Sequence, residues 1–497
     1  MLLKDRFKTF AGQSFILIAI LFLVRMVAMF GIPLNDSTEA RYAEIARLML
    51  DSNNWVSLMH YPHQYFWAKP PLSTWLSAIS MKIMGVSPFA ARFPAILLSM
   101  ICLGLVARMA YQQLRMSGAI WVMAILTTTF YFLLDAGTVM TDPSLLTCVT
   151  IVMVSFWIGM NESSRFWGYM TFVGWGLGLL AKGPVMGVFT VVPLAIWLTL
   201  THQWAVCWKR LPWIKGSLLT LAIALPWYII AEQRMPGFLS YFIIGEHLMR
   251  FLKPGWTGDL YGFAHEAPIG MIWVYFFMGT MPWSFILAYW MLTQKNIWKG
   301  KAMEKNWVIY LLCFLLFPLC FFTFARNIIY PYVFPTLPAF ALLFTSILFH
   351  IGKQLEMQKV YFTLGSVMAA LILGVTWLFH AYPMEVSKST DQMIAIWKEH
   401  RGSRQEHLIY VHNVPEYSSM FYSRGRVMAT RDPAQLCQWL QQGPNFVVLD
   451  SAEPCFFQDY IKKEYQPLAS IQHRERIDTL YRIDKLPSFC EHVRAIS

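Results

Sequence analysis

Four carboxylates and five cationic or imidazole side chains stand out by where they fall. Asp36 and Glu39 lie in PLNDSTEARYAEIARLML (33–50), directly after the first long apolar run. Asp142 closes the polar stretch DAGTVMTD (135–142). A carboxylate at such a place can take a proton from an attacking hydroxyl or hold a sugar hydroxyl in position. It can equally cap a helix. Asp36 followed by Glu39 fits a capping box with Asp36 as N-cap, and Asp142 fits the N-cap of the next apolar run. Lys69 sits in FWAKPPLSTW, where two prolines exclude helix and hold it in an extended turn. There it suits a phosphate oxyanion, or it snorkels toward lipid headgroups. Lys182 in LLAKGPV ends an apolar run, where it either pairs with a helix C-terminus or binds phosphate. In WYIIAEQRMPGFLSYFIIGEHLMRFL (227–252), Glu246 and Arg250 are spaced i, i+4 with His247 beside them. A plain salt bridge satisfies that spacing. His265 is a candidate metal ligand without a spaced partner.

The elements that position these residues are membrane spans. The chain has 497 residues, 57% hydrophobic, 16% aromatic and only 14% charged, whereas soluble domains carry about a quarter charged residues. About eleven apolar runs predict spans near 14–31, 89–110, 117–134, 144–160, 165–181, 184–201, 214–231, 269–292, 307–325, 328–349 and 360–380. With the N-terminus inside, Arg108, Arg115, Arg165, Lys209, Arg210, Lys215, Lys295, Lys299, Lys301, Lys305, Lys353 and Lys359 all fall in inside loops. That is the positive-inside pattern, and it accounts for a net charge of +12 without nucleic acid as a partner. The same register places the carboxylates and cations of the first paragraph at the outer face.

Beyond residue 380 the composition changes. HLIYVH (407–412) and NFVVLD (445–450) read as strands and AQLCQWLQQ (434–442) as a helix, predicting a small α/β domain over 381–497 after a membrane domain over 1–380. Cys437, Cys455 and Cys490 fall in that domain. Three cysteines allow at most one internal bridge, and spacing does not choose the pair.

The ordered motifs DSTEARYAEIARLML, FWAKPPLSTW, FAARFPA, LLAKGPV, PGFLSYFIIGEHLMRF and ARNIIYPYVFPTLPA resemble the bacterial aminoarabinose transferases and protein O-mannosyltransferases. These are GT-C membrane glycosyltransferases, and the resemblance covers residues 10–380. It implies an α-helical polytopic fold with amphipathic outer-face helices and a glycosyltransferase that uses a polyprenyl-phosphate-linked sugar donor. The acceptor would be extracytoplasmic, either lipid A, another glycolipid or a protein, at the bacterial inner membrane with the C-terminal domain periplasmic. By motif position, Asp36, Glu39 and Asp142 look catalytic, while Lys69, Lys182, His247, Arg250 and Arg41 look like donor-phosphate contacts.

Two departures matter. Many relatives read D-E-x-R-Y, but Thr38 stands where the aspartate would be and Asp36 is two residues earlier. Ala68 stands where many relatives have an acidic residue before the lysine, so no obligatory metal or other cofactor is expected. A transporter or lipid flippase is the rival reading; it predicts internal repeats and broken helices at mid-membrane, and no such repeat is found.

Overall fold

The computed structural model describes residues 2–253, 255–262, 266–293, 303–382, 387–402, 406–442, 445–451, 455, 457–473 and 476–491, with side chains from residue 9 onward. The chain divides into two compact units, residues 1–27 with 52–373 and residues 28–51 with 374–497. Helix α1 (Leu2–Gly31) begins in the first unit and ends in the second, which also holds α2 (Thr38–Asp51). The first unit continues with the hairpin β1 (Met59–Tyr61) and β2 (Gln64–Tyr65), then α3 (Leu72–Met84), α4 (Pro88–Thr127) and α5 (Phe130–Asp135). Next come α6 (Asp142–Glu162), α7 (Arg165–Lys182), α8 (Val185–Leu200), α9 (Trp204–Arg210) and α10 (Trp213–Arg234). A short α11 (Phe238–Ser240) runs into a π-helix (Tyr241–Met249) and α12 (Arg250–Leu252). After α13 (Met271–Gly279), α14 (Trp283–Thr293) and α15 (Lys305–Thr323), a 3₁₀ turn (Tyr330–Thr336) leads into α16 (Leu337–His350) and α17 (Gln354–Ala381).

Among the described residues, seven helices are long and apolar enough to cross a membrane, or eight if α13 and α14, bent by 102°, form one span. About eleven were expected, and with the bent pair counted as one span the difference arises at three places. The runs at 89–110 and 117–134 fall largely on one 40-residue helix, α4, which breaks at Arg115 with a positive φ of 59°. Helix α8 is short, at 16 residues. Helix α7 is diluted by glycines that serve packing instead of hydropathy: a Cβ on Gly174 would lie 2.8 Å from Val152 Cγ2, and one on Gly176 would lie 2.9 Å from Ile223 Cβ. Small residues let helices approach closely where no hydrophobic drive exists between them.

The core of this unit is aromatic, and three of its polar tips are paired, while Trp157 Nε1 is buried with no partner among the described residues. Tyr310 OH donates to Met153 O at 2.6 Å, Trp307 Nε1 to Ser346 Oγ at 2.9 Å and Trp197 Nε1 to Asn306 O at 2.9 Å. Buried tryptophan and tyrosine need such partners because hydrocarbon supplies none. Arg25, inside α1, faces the bundle and donates to Leu134 O at 2.8 Å.

The second unit carries α18 (Asp391–His400), β3 (Leu408–Tyr410), α19 (Tyr417–Ser423), β4 (Val427–Ala429), α20 (Pro433–Leu440), β5 (Asn445–Asp450), α21 (Gln458–Glu464), β6 (Pro467–His473) and β7 (Arg476–Ile483). The strand order is β4-β3-β5-β7-β6, with β3 parallel to both β4 and β5 and the β5, β7 and β6 pairings antiparallel. β5 is central and buried along its whole length, as its run NFVVLD requires. Asp432 caps α20, accepting from Ala434 N. Cys437 and Cys490 form a disulfide, and Cys455 is free.

Helix α2 packs in this unit. Its Ala40, Ala43, Ile45, Ala46, Leu48 and Met49 are buried, together with Glu44 and Arg47. The Arg47 guanidinium grips Glu44 with two bonds of 2.6 Å, which satisfies a charge pair that burial would otherwise penalise. Gly425, at φ 75°, passes beside that guanidinium, where a Cβ would lie 3.0 Å from Arg47 Nη2. The capping-box expectation needs correcting in detail. Helix α2 begins at Thr38, and the Asp36 carboxylate instead accepts from Ser418 N of α19 at 3.1 Å.

Candidate functional site

Lys69 is fixed by the turn that its prolines dictate. The chain leaves β2 with Tyr261 OH accepting from Trp67 N at 3.0 Å and donating to Tyr65 O at 2.9 Å. Pro70 and Pro71 then delay helix until Leu72, since neither ring can join a helical ladder from within. The Lys69 ammonium donates to Ala68 O at 2.9 Å and stands 3.4 Å from Glu246 Oε2. Burial pushes this lysine below the ordinary ammonium range, the cations Arg250 and Lys182 push the same way, and Glu246 opposes them.

Glu246 and His247 come from the π-helix, a wide turn that often marks functional sites. Glu246 Oε2 also accepts from Arg250 Nη1 at 2.9 Å, so one carboxylate oxygen serves two cations. Burial alone would raise the Glu246 carboxyl, but Lys69 and Arg250 outweigh it and hold the group below its usual range. Asp259 Oδ2 stands 3.6 Å from the same Arg250 nitrogen, Nη1. His247 places Nδ1 2.7 Å from Phe242 O and Nε2 3.2 Å from Lys182 O. Burial lowers its pKa, and a neutral ring donates through one nitrogen at a time.

Lys182 is the last residue of α7, which Gly183 ends at φ 71°. Its ammonium lies 2.6 Å from Asp142 Oδ1, at the first turn of α6, and 5.1 Å from the centre of the Tyr332 ring.

Lys69, Lys182, Glu246, His247 and Arg250 share one open cavity of about 160 Å³. Lys69, Lys182, Glu246, His247, Arg250, Asn327 and Tyr332 line it with Leu145, Pro184, Val185, Val188, Phe189, Phe251, Phe321 and Phe322. Phe251 stacks on Phe321 with ring centres 4.7 Å apart. A cavity with three cations and a wall of valine and phenylalanine suits a molecule with an anionic head and an apolar tail.

Of the residues singled out in the sequence, Lys69, Lys182, His247 and Arg250 line the cavity, and Asp142 pairs with one of them. Asp36, Glu39 and Arg41 lie in the second unit. Asp36 is held by Ser418, Glu39 is half-buried in the first turn of α2, and the Arg41 guanidinium carbon sits 5.4 Å from the Tyr417 ring centre. Burial first and then Glu416 push the Asp36 carboxyl up to about 7. Sequence reasoning took Glu246 only as a helix salt-bridge partner, and it passed over Asn327 and Tyr332. All three lie in quoted motifs, IGEHLMRF and ARNIIYPY, where a polar residue inside an apolar run was the available signal. His265 lies outside the described residues. Among them, no three histidine, cysteine or carboxylate side chains stand together as a metal set.

Comparison with known proteins gives the same picture. The family described as dolichyl-phosphate-mannose-protein mannosyltransferase matches residues 11–242. The undecaprenyl phosphate-alpha-4-amino-4-deoxy-L-arabinose arabinosyl transferase of Enterobacter sp. (strain 638) is 27% identical over 312 residues, which is 61% of this chain and 54% of that protein. The like-named protein of Edwardsiella ictaluri is 26% identical over 382 residues, 74% of this chain and 66% of that one. The chain thus spans between about half and two thirds of the length of these relatives. The crystal structure of ArnT from Cupriavidus metallidurans bound to undecaprenyl phosphate superposes with a TM-score of 0.73 at 16% identity, covering 94% of this chain and 98% of that one. The fold is that of this ArnT structure. The resemblance read from the motifs therefore holds, and so does the expectation of a multi-span helical protein with a small C-terminal sheet.

Proposed function

We propose that this protein is a glycosyltransferase that takes a sugar from a polyprenyl-phosphate-linked donor and attaches it to an extracytoplasmic acceptor. The observation that carries the reading is the convergence of Lys69, Lys182 and Arg250 at one cavity whose apolar wall includes Val185, Val188, Phe189 and Phe321. A polyprenyl tail would lie along the apolar wall, where each buried methylene contributes about 0.8 kcal/mol. The donor phosphate would meet the cations. During transfer the bond between the anomeric carbon and the phosphate oxygen breaks, and the acceptor oxygen bonds to that carbon with inversion. The leaving phosphate gains negative charge, which the three cations stabilise. Asp36 is the carboxylate we assign to the acceptor's proton; a carboxyl pushed up to about 7 is matched to base catalysis near neutrality. Glu39, Asp142, Arg41 and His247 complete the assigned set as positioning groups.

The relatives' names make a 4-amino-4-deoxy-arabinose the first sugar to try, and the motif resemblance makes lipid A the first acceptor. The positive-inside pattern supports an N-terminus in the cytoplasm of a bacterial inner membrane, with residues 1–380 as the membrane domain and 381–497 outside it. The test is a strain lacking the gene, complemented with wild type or with Lys69→Ala, followed by mass spectrometry of its lipid A and other envelope glycans. One pentose- or hexose-sized mass should vanish and return only with wild type. Unchanged envelope glycans in the deletion strain would sink the transferase reading and favour a lipid flippase.

A further inference from the structure

Asn327 belongs to the motif ARNIIYPY, which no role assigned above uses. It lines the cavity and is only 8% exposed. Its Nδ2 donates to two backbone carbonyls, Arg250 O at 2.7 Å and Lys253 O at 3.0 Å. Those two bonds fix the amide's orientation, because a flipped amide would set its oxygen against two carbonyl oxygens. The consequence is an oxygen with nothing to accept. Asn327 Oδ1 is buried and has no hydrogen-bond partner among the described residues. A second acceptor of the same cavity is in the same condition: Glu246 Oε2 serves Lys69 and Arg250, while Glu246 Oε1 is buried and unpartnered.

Buried acceptors without donors are costly, each at about 1–3 kcal/mol. A phosphate does not relieve that cost, since a phosphate dianion is itself only an acceptor. The group that fits carries hydroxyl or ammonium hydrogens, and it must sit beside the cations that take the phosphate. The only part of a sugar-phosphate lipid that meets both conditions is the sugar. We infer that Asn327 Oδ1 and Glu246 Oε1 form a sugar subsite that accepts hydrogen bonds from donor-sugar hydroxyls or an amino group. The inference rests on the reading that the cationic end of the cavity binds the donor phosphate. A site built to accept specific hydrogens discriminates strongly against a ligand that lacks them, because its own buried groups are then left unpaired.

The experiment measures binding of two probes to the purified full chain in detergent: undecaprenyl phosphate without a sugar, and undecaprenyl phosphate bearing 4-amino-4-deoxy-arabinose. Wild type should bind the sugar-bearing lipid more tightly. Asn327→Ala should weaken the sugar-bearing lipid about tenfold, the value of one hydrogen bond of about 1.4 kcal/mol, and leave the bare lipid within about twofold. Equal weakening of the two lipids in Asn327→Ala would reduce Asn327 to a strut for the Arg250 loop and overturn the subsite. Should the alanine variant not fold, equal affinity of wild type for the two lipids overturns it alone. Failure of wild type to bind bare undecaprenyl phosphate would instead count against the phosphate reading itself.

Discussion

Lys69 and Arg250 come from segments about 180 residues apart, yet both direct their charge at a single oxygen, Glu246 Oε2, at 3.4 Å and 2.9 Å. Two cations held this close repel one another, and the carboxylate between them is what makes the arrangement stable before any anion arrives. The Glu246 side chain is 3% exposed, so water does little to screen that balance.

Removing the shared carboxylate should therefore destabilise the empty protein and be partly repaired by ligand. Glu246→Ala leaves Lys69 without its anion and Arg250 with only Asp259 at 3.6 Å, and breaking such a buried pair costs about 3–5 kcal/mol. Thermal unfolding in detergent should show a large fall in Tm. Added undecaprenyl phosphate should raise the variant's Tm more than it raises that of wild type, because the phosphate replaces the missing charge. An equal rise in both would mean that the phosphate does not sit among these cations.

The cations themselves should differ in how replaceable they are. Arg250 offers a planar fork held by Glu246 and flanked by Asp259, and lysine does not reproduce that geometry. Arg250→Lys should lower lipid-phosphate affinity nearly as much as Arg250→Ala, by about 10- to 100-fold, the range for losing one charged hydrogen bond. Lys69→Arg should retain more affinity than Lys69→Ala. A titration of the four variants with undecaprenyl phosphate decides the order.

The sequence makes much of this legible, and physics explains what it leaves out. Lys69 could be placed because two prolines allow few conformations, and the β5 strand because a six-residue buried run has few homes. Glu246 and Arg250 were paired from their i, i+4 spacing, and they do pair at 2.9 Å although the segment through Met249 is a π-helix. The sharing of Glu246 with Lys69 was not legible, since local spacing carries no information about contacts across 177 positions. The α4 run was read as two spans because hydropathy falls around Arg115; composition reports polarity, not whether the backbone stays helical through it. The Asp36 environment was missed for the same reason as the shared carboxylate: its partners Ser418 and Glu416 are separated from it by most of the chain.

The disulfide of the second unit ties α20 to the C-terminal stretch across 53 positions. A bridge of that span stabilises mainly by restricting the unfolded chain, typically by about 2–4 kcal/mol. Cys437→Ala and Cys490→Ala should each lower the unfolding temperature of this unit, and reducing agent should have no further effect on either variant. Cys455→Ala should leave the reductant sensitivity of wild type intact. Were Cys455→Ala to abolish it instead, the pairing would be wrong.

Asp36 gives a prediction in pH with two separate signs. Its carboxyl is pushed from 3.8 up to about 7, first by burial and then by the neighbouring Glu416. A group that holds its proton more tightly in the folded state adds stability below its unfolded pKa and loses that contribution as pH rises through the folded one. Asp478, also pushed up to about 7 by burial, acts in the same direction. Unfolding of the second unit should accordingly become easier between about pH 4 and 7. Asp36→Asn, which keeps an oxygen to accept from Ser418 N but has no charge to bury, should match wild type near pH 4 and exceed it above pH 7. Catalysis should move the opposite way, because the role assigned to Asp36 needs the ionised form: transfer by wild type should rise with pH through about 7. In Asp36→Asn transfer should fall and that rising limb should disappear. A stable Asp36→Asn protein that transfers sugar at the wild-type rate, with the wild-type pH profile, would remove Asp36 from the chemistry and leave it as a cap for α19.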